Sequence, residues 1–258
     1  ITSKQAKDIY LHVKKLQPDC LVNSRIGAGL GDYGVMGDNQ IPPGVLNGVW
    51  ECPATMNHSW GFHCADTTWK SAGHMITQLI DLSSKNINYL LNIGPKADGS
   101  IPSESVQRLK ELGKWIERNG EAVYHTGPSP WFQEMDGFRI TAGGKFLYLT
   151  LLDTHTEFVT LFNLKNEVIN ITDIQNYLSI PYEYKHLSDP DVSVLRIDIP
   201  KELKNKTFPV IKIHIKGSPE VDNRPCQMSS GNILLQVGMA KVITQEEQLQ
   251  ISGIDGIV

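Results

Sequence analysis

Between Ser3 and Leu16 the apolar residues Ala6, Ile9, Tyr10, Val13 and Leu16 recur at helical spacing, which gathers their side chains on one face. Gln17-Pro18-Asp19 ends that pattern and Cys20-Leu21-Val22 is a short apolar run, so a helix followed by a strand is predicted. A Gly-rich stretch from Gly27 to Gly48, carrying Pro42 and Pro43, precedes the next strand candidate, Val49 to Met56. Connections longer than about 12 to 15 residues inside a compact domain are usually functional or disordered, and this one, bracketed by strand candidates, is expected to be a binding loop.

Further along, a helix is predicted over Ser71 to Leu82 and a strand over Ile87 to Ile93. The turn Gly94-Pro95-Lys96-Ala97-Asp98-Gly99 follows, then a helix over Ser103 to Asn119. That last helix is well marked. Pro102 and Ser103 open it, Glu104 complements the positive end of its dipole, Val106, Leu109, Leu112 and Ile116 form its apolar face, and Gly120 follows it. Strand, loop and helix in repeated order imply parallel strands joined by crossovers.

After Tyr124 the period shortens to two. Phe146 to Leu152, Val194 to Ile199 and Val210 to Lys216 read as strands, the last two alternating in the manner of a sheet with one wet face. The expected architecture is α/β, the second half of a (β/α)8-like (TIM) barrel followed by an antiparallel β-sandwich. Residues 1–126 form the barrel part, 127–218 the sandwich, and 219–258 a linker, tail or truncated start of a further module, within which Asn232 to Val237 is a strand candidate. Thr126-Gly127-Pro128-Ser129-Pro130 marks the boundary.

With 40% hydrophobic and 20% charged residues in 258, the chain has the composition of a globular protein. A formal charge of −4 and a pI near 6.1, with no basic run, disfavour nucleic acid as a partner. Cys20, Cys52, Cys64 and Cys226 contain no CxxC pair, so neither a disulfide framework nor a structural zinc site is signalled. Apolar runs stay well short of a membrane helix, so no membrane insertion is expected. Ile1 stands where an initiator would, and Ser3 to Leu16 reads as the middle of a domain, so a preceding segment is expected.

Reacting groups of α/β barrels gather at the C-terminal ends of strands and on the loops that follow. Asn23 and Arg25 follow the first strand, Asp32 and Asp38 lie on the long loop, Glu51 is in the second strand, and His58, Trp60 and His63 come after it. Glycoside hydrolysis needs two carboxyl groups flanking the scissile bond, and Asp38 and Glu51 are candidates for one of them. Trp60 suits the apolar face of a sugar and Arg25 a ring or hydroxyl oxygen. The plainer readings are a turn aspartate for Asp38, a strand carboxylate that fixes neighbouring loops for Glu51, an ion-paired Arg25 and a core Trp60. His58, His63, Cys52, Cys64 and Asp66 have no metal-site spacing, and neither metal nor cofactor is expected. Of the sequons at Asn57, Asn170 and Asn205, the first lies within this cluster, where a glycan would obstruct the pocket.

Asn23-Ser24-Arg25, the loop from Gly31 to Pro42, Trp50-Glu51, Met56 to Phe62 and Asn88 to Pro95, in that order, closely resemble glycoside hydrolase family 29, the α-L-fucosidases. The resemblance continues through Asp98 to Pro102 and Gly120 to Tyr124 and fades across the sandwich. It implies a retaining exo-glycosidase removing terminal α-L-fucose from glycans or fucosides. Carried over, the substrate-contacting arginine falls on Arg25, the aromatic beside the fucose C5 and methyl group on Trp60, and the acid/base on Asp38. Glu51 is a supporting residue and the alternative acid/base. The nucleophilic Asp of the family ends the strand before the 3–16 helix, upstream of Ile1. The chain alone is therefore expected to be inactive, with the preceding half-barrel as its partner. The other reading is an incomplete fragment serving as a carbohydrate-binding or structural module. A secreted, periplasmic or lysosomal-type compartment is implied by the resemblance only.

Overall fold

The structure is a computed structural model that describes residues 1–132, 134–188 and 191–223. Cys226, the 232–237 strand and most of the 219–258 segment lie outside the described residues.

Helix α1 spans Ser3–Leu16 and opens on a capping box: the Thr2 hydroxyl accepts from Gln5 N–H and Gln5 Oε1 accepts from Thr2 N–H at 2.8 Å. Lys14 and Lys15 in its last turn complement the negative end of the helix dipole. Its apolar face is only partly covered: Ala6 is buried and Tyr10 and Val13 half-buried, whereas Ile9 and Leu16 are exposed. Periodicity placed the helix correctly, but burial depends on a neighbour that the described residues do not supply.

The next regular strands are β1 (Gly34–Val35), β2 (Trp50–Thr55) and β3 (Ile87–Asn92), a parallel sheet in the order β1-β2-β3. Cys20 to Val22, predicted as a strand, belongs to no sheet. The segment is held by the long loop instead, Asp32 N–H donating to Val22 O and Ser24 N–H to Tyr33 O, and only Asn23 makes a bridge, to Tyr33. The sequence hid β1 because it is two residues long and sits inside the Gly-rich stretch. Helix α2 (Ala72–Ser84) packs on β3, and α3 (Ser103–Asn119) packs on α2. Helix α2 starts one residue later and ends two later than the 71–82 expectation, because Ser71 is its N-cap, its Oγ accepting from His74 N–H at 3.1 Å. Ser71→Ala is expected to cost about 1 kcal/mol, read as a lower urea midpoint with an unchanged slope.

Toward the helices the sheet presents Cys52, Ile87, Tyr89 and Leu91, packed with Ile76, Ile80 and Leu82 of α2. The opposite face carries Glu51, Pro53 and Thr55 in register with Asn88, Leu90 and Asn92. Its β3 part is open, Leu90 being 50% exposed, whereas Pro53 and Thr55 of β2 are buried. Parallel strands are normally covered on both faces. Among the described residues no closed barrel forms; the sheet has three strands, and one of its faces is exposed along β3.

Strands β4 (Phe138–Gly143), β5 (Phe146–Leu151), β6 (Phe158–Phe162), β7 (Val168–Asp173), β8 (Tyr182–Ser188), β9 (Asp191–Asp198) and β10 (Val210–Ile215), with the short helix α4 (Lys201–Lys204), make the second part. Two antiparallel sheets, β4-β5-β10-β7 and β6-β9-β8, enclose a core of Ile140, Leu147, Leu149, Ile171, Ile211 and Ile213 against Val159, Leu161, Leu195 and Ile197. The expectation named three strands and missed β4, β6, β7 and β8. In β7 the alternation fails because the register shifts at His214/Ile215 of β10, leaving Ile169 exposed.

The parts join through Trp115 and Leu112 of α3, Ala122, and Tyr148, Ile174 and Val210 of the sandwich, with Trp115 Nε1 donating to Phe208 O at 3.1 Å. Beside this contact Asp81 of α2 bridges Lys85 at 3.0 Å and Arg139 of β4 at 2.5 Å, and Glu134 completes the cluster on the same two cations.

Candidate functional site

Apart from Glu51, which lies within β2, the site residues that the sequence marked lie on the loops after Val22, β1 and β2. Asn23 starts the first turn, its Oδ1 accepting from Arg25 N–H at 2.8 Å, so the chain tightens into a 3-10 turn over Ser24–Ile26 and presents Arg25 outward. Gly31 passes so close beneath this turn, at φ +126°, that a Cβ would stand 2.7 Å from Ser24 N and Cα. No side chain fits there.

Asp32 ties that loop to α1. Its carboxylate accepts from Tyr10 Oη at 2.8 Å, Val22 N–H at 2.7 Å and Lys14 Nζ at 2.9 Å. The Val22 amide first, then Lys14 and Tyr10, hold its pKa down at about 2. The ionised form is thus favoured by folding, and the stabilisation is complete above the ordinary carboxylate range near pH 4 and lost as pH falls through about 2. Between those values α1 is expected to become labile to an acid protease. Asp32→Asn should show no such acid transition.

Asp38 forms an ion pair with Arg25 across 13 residues of sequence, both side chains about half exposed. Next to it Asn39 N–H donates to Pro53 O at 2.8 Å, and Asn39 Oδ1 accepts from Thr55 N–H at 3.0 Å and from Lys70 Nζ at 3.0 Å. These bonds fasten the segment carrying Asp38 to the C-terminal half of β2. Beyond β2, Asp66 gathers His58 N–H, Ser59 Oγ, Thr68 N–H and the Thr68 hydroxyl, with the two hydroxyls foremost in pushing its pKa far down. The loop so folded presents Trp60, 41% exposed, while Asn92 at the end of β3 donates to Trp60 O. Gly94 follows, and a Cβ there would stand 3.2 Å from that same carbonyl.

Arg25 and Asp38 are thus brought together, and Trp60 stands at the C-terminal end of the same sheet. Glu51 is placed apart, second in β2 and on the face away from α2, and its carboxylate makes no hydrogen bond among the described residues. Asp98 caps its own turn through Ser100 N–H and Oγ. Asn57 is buried with its Oδ1 accepting from Ser59 N–H, whereas Asn170 and Asn205 are exposed. Sequence reasoning missed Asn39, Lys70 and the role of Asn92. Asn39 and Asn92 lie within the quoted motifs, and Lys70 carries no local signal.

No cluster of three or more His, Cys, Asp or Glu side chains able to hold a metal occurs among the described residues, and Cys20, Cys52 and Cys64 are free thiols. No helix among them is long and apolar enough to cross a membrane. On the sandwich the hydroxyls of Tyr182 and Tyr184 donate to Val168 O at 3.4 Å and Leu164 O at 3.1 Å. Phe158 is covered by the Arg196 guanidinium at 3.8 Å.

A parallel sheet with its polar groups at the strand ends, joined to a sandwich, is an architecture shared with solved glycosidases. The α-L-fucosidase of Vibrio sp. strain EJY3 superposes with a TM-score of 0.80 at 25% identity, over 90% of this chain and 42% of that one. Isoenzyme 1 from Paenibacillus thiaminolyticus gives 0.72 at 27% identity, over 82% and 53%. A model of the family described as alpha-L-fucosidase matches residues 2–121. The tissue alpha-L-fucosidase of Macaca fascicularis is 31% identical over 197 residues, 72% of this chain and 41% of that protein. Residues 2–121 belong to the α-L-fucosidase family, glycoside hydrolase family 29. The chain spans about two fifths of the length of the curated relatives it matches.

Proposed function

We propose that this chain carries the acid/base side of a retaining α-L-fucosidase site, within the C-terminal half of a (β/α) barrel that a preceding segment completes. The observation that carries the reading is the Arg25–Asp38 pair on the segment that Asn39 fastens to the C-terminal half of β2, with an exposed Trp60 on the loop that follows the same strand. Asp38 gives its proton to the glycosidic oxygen as a nucleophilic Asp from the preceding segment attacks the anomeric carbon. It then takes a proton from the water that releases fucose. Because Arg25 now occupies the Asp38 carboxylate, the sugar must enter between them, the guanidinium passing to a ring or hydroxyl oxygen. Trp60 lies against the apolar C5 and methyl side of the fucose.

Glu51, at the opposite end of β2 from the loop that bears Trp60, is the supporting carboxylate and the alternative acid/base. The substrate is a terminal α-L-fucosyl glycan or fucoside. A secreted, periplasmic or lysosomal-type setting suits that substrate. Residues 1–126 form the barrel part and 127–218 the sandwich.

The test compares fucose release from an aryl α-L-fucoside by the isolated 258-residue chain and by the whole gene product that contains it. The first is expected to release none and the second to turn over. Turnover by the isolated chain would show that the second carboxylate lies within these residues.

A further inference from the structure

The segment that bears Asp38 lies in a long stretch with little regular structure, and a proton donor is useful only if it is held still. We propose that Lys70, acting through Asn39, is the positioning residue that seats Asp38 against β2; this rests on Asp38 being the acid/base.

Asn39 stands at φ +56°, a left-handed conformation in which Asn is among the residues best tolerated. The turn aims its side chain back at β2. Thr55 has a single hydroxyl proton, and its closer acceptor is Asn57 O at 2.5 Å rather than Asn39 Oδ1 at 3.3 Å. The two lone pairs of Asn39 Oδ1 are therefore filled by Thr55 N–H and the Lys70 ammonium, both at 3.0 Å. Thr55 N–H is fixed in the sheet. Lys70 is the donor that side-chain chemistry adds.

Lys70 is itself clamped. Its ammonium also donates to Thr55 O at 2.7 Å, its backbone N–H to Met56 O at 2.8 Å, and its carbonyl accepts from Arg108 Nε of α3 at 2.6 Å. Arg108 in turn lies over the Trp69 ring. A chain of bonds thus runs from α3 through Lys70 to Asn39 and ends one residue from Asp38. Desolvation pushes the Lys70 pKa down, a penalty that a freely solvated lysine does not carry. Its ammonium reaches Asn39 and not the Asp38 carboxylate, so its action on the reaction is indirect.

In the whole gene product, kcat/KM reports the step in which the acid gives its proton. A displaced acid hurts an alkyl fucoside, whose leaving group must be protonated, and spares a 2,4-dinitrophenyl fucoside, whose leaving group departs as the anion. Lys70→Met is expected to lower kcat/KM about 10- to 100-fold on the alkyl fucoside and less than about 3-fold on the dinitrophenyl one. Asn39→Ala should behave alike, and retained turnover of the dinitrophenyl substrate shows that the variants fold. Adding Lys70→Met to Asp38→Ala should cost nothing more on the alkyl fucoside, because Lys70 acts only through Asp38. Equal losses on both substrates, no loss on either, or an additive double variant would overturn the positioning role. If Asp38→Ala itself loses equally on both substrates, the acid assignment fails first and the inference falls with it.

Discussion

Asp38→Ala in the whole gene product is expected to lower kcat/KM for an unactivated α-L-fucoside by about 10²- to 10⁴-fold, the range that general acid catalysis supplies. The loss should nearly vanish for a 2,4-dinitrophenyl fucoside, which needs no proton. The expectation comes from placement. Asp38 follows β1, is tied through Asn39 to the C-terminal half of β2, and is paired with Arg25. Glu51→Gln should give a smaller loss that is independent of the leaving group, since Glu51 sits second in its strand, away from the strand ends where barrel enzymes react. A leaving-group-dependent loss at Glu51, with none at Asp38, would exchange the two assignments.

Stability should be most sensitive at Asp81. Its carboxylate neutralises Lys85 and Arg139, whose side chains are only 6% and 12% exposed, where α2 meets the sandwich. Asp81→Ala leaves both cations to the more exposed Glu134. Removing one member of a buried ion cluster costs about 3 to 5 kcal/mol, because the remaining charge stays desolvated without its partner. A urea titration should show a large fall in midpoint. The double change Asp81→Leu with Arg139→Met removes one charge of each sign and should be less damaging than Asp81→Ala. If the single variant unfolds at the wild-type midpoint, the cluster does not hold the two parts together.

Legibility in the sequence followed locality. Helix α3 could be bounded at Ser103 and Asn119 because its apolar face, its first-turn Glu104 and the following Gly120 all lie within the helix or beside it. Helix α1 was equally visible, yet the burial of Ile9 and Leu16 was not, since periodicity names a face and not what covers it. Strand β1 is defined by its partner Trp50-Glu51 rather than by any pattern of its own. In the sandwich, β9 and β10 are central strands with apolar alternation and β5, also central, is an almost wholly buried run, whereas β6, β7 and β8 are edge strands with exposed apolar residues.

The site divides in the same way. Arg25, Asp38, Glu51 and Trp60 stood in ordered motifs and could be named. That Arg25 would meet Asp38 depended on the Gly31 close approach and on Asp32 anchoring the loop. Lys70 could not be found locally, because its partner is 31 residues away and the bond forms only once β2 and the loop are both in place.

The most direct test of the acid/base assignment is a structure of the whole gene product with a fucose-derived inhibitor bound. The account predicts that Arg25 leaves Asp38 for an oxygen of the sugar and that a carboxyl oxygen of Asp38 lies within hydrogen-bond distance of the anomeric substituent. A second carboxylate should stand across the anomeric carbon, about 5 to 5.5 Å from Asp38. An Asp38 still paired with Arg25 and remote from the sugar, with another carboxyl group at the anomeric substituent, would contradict it.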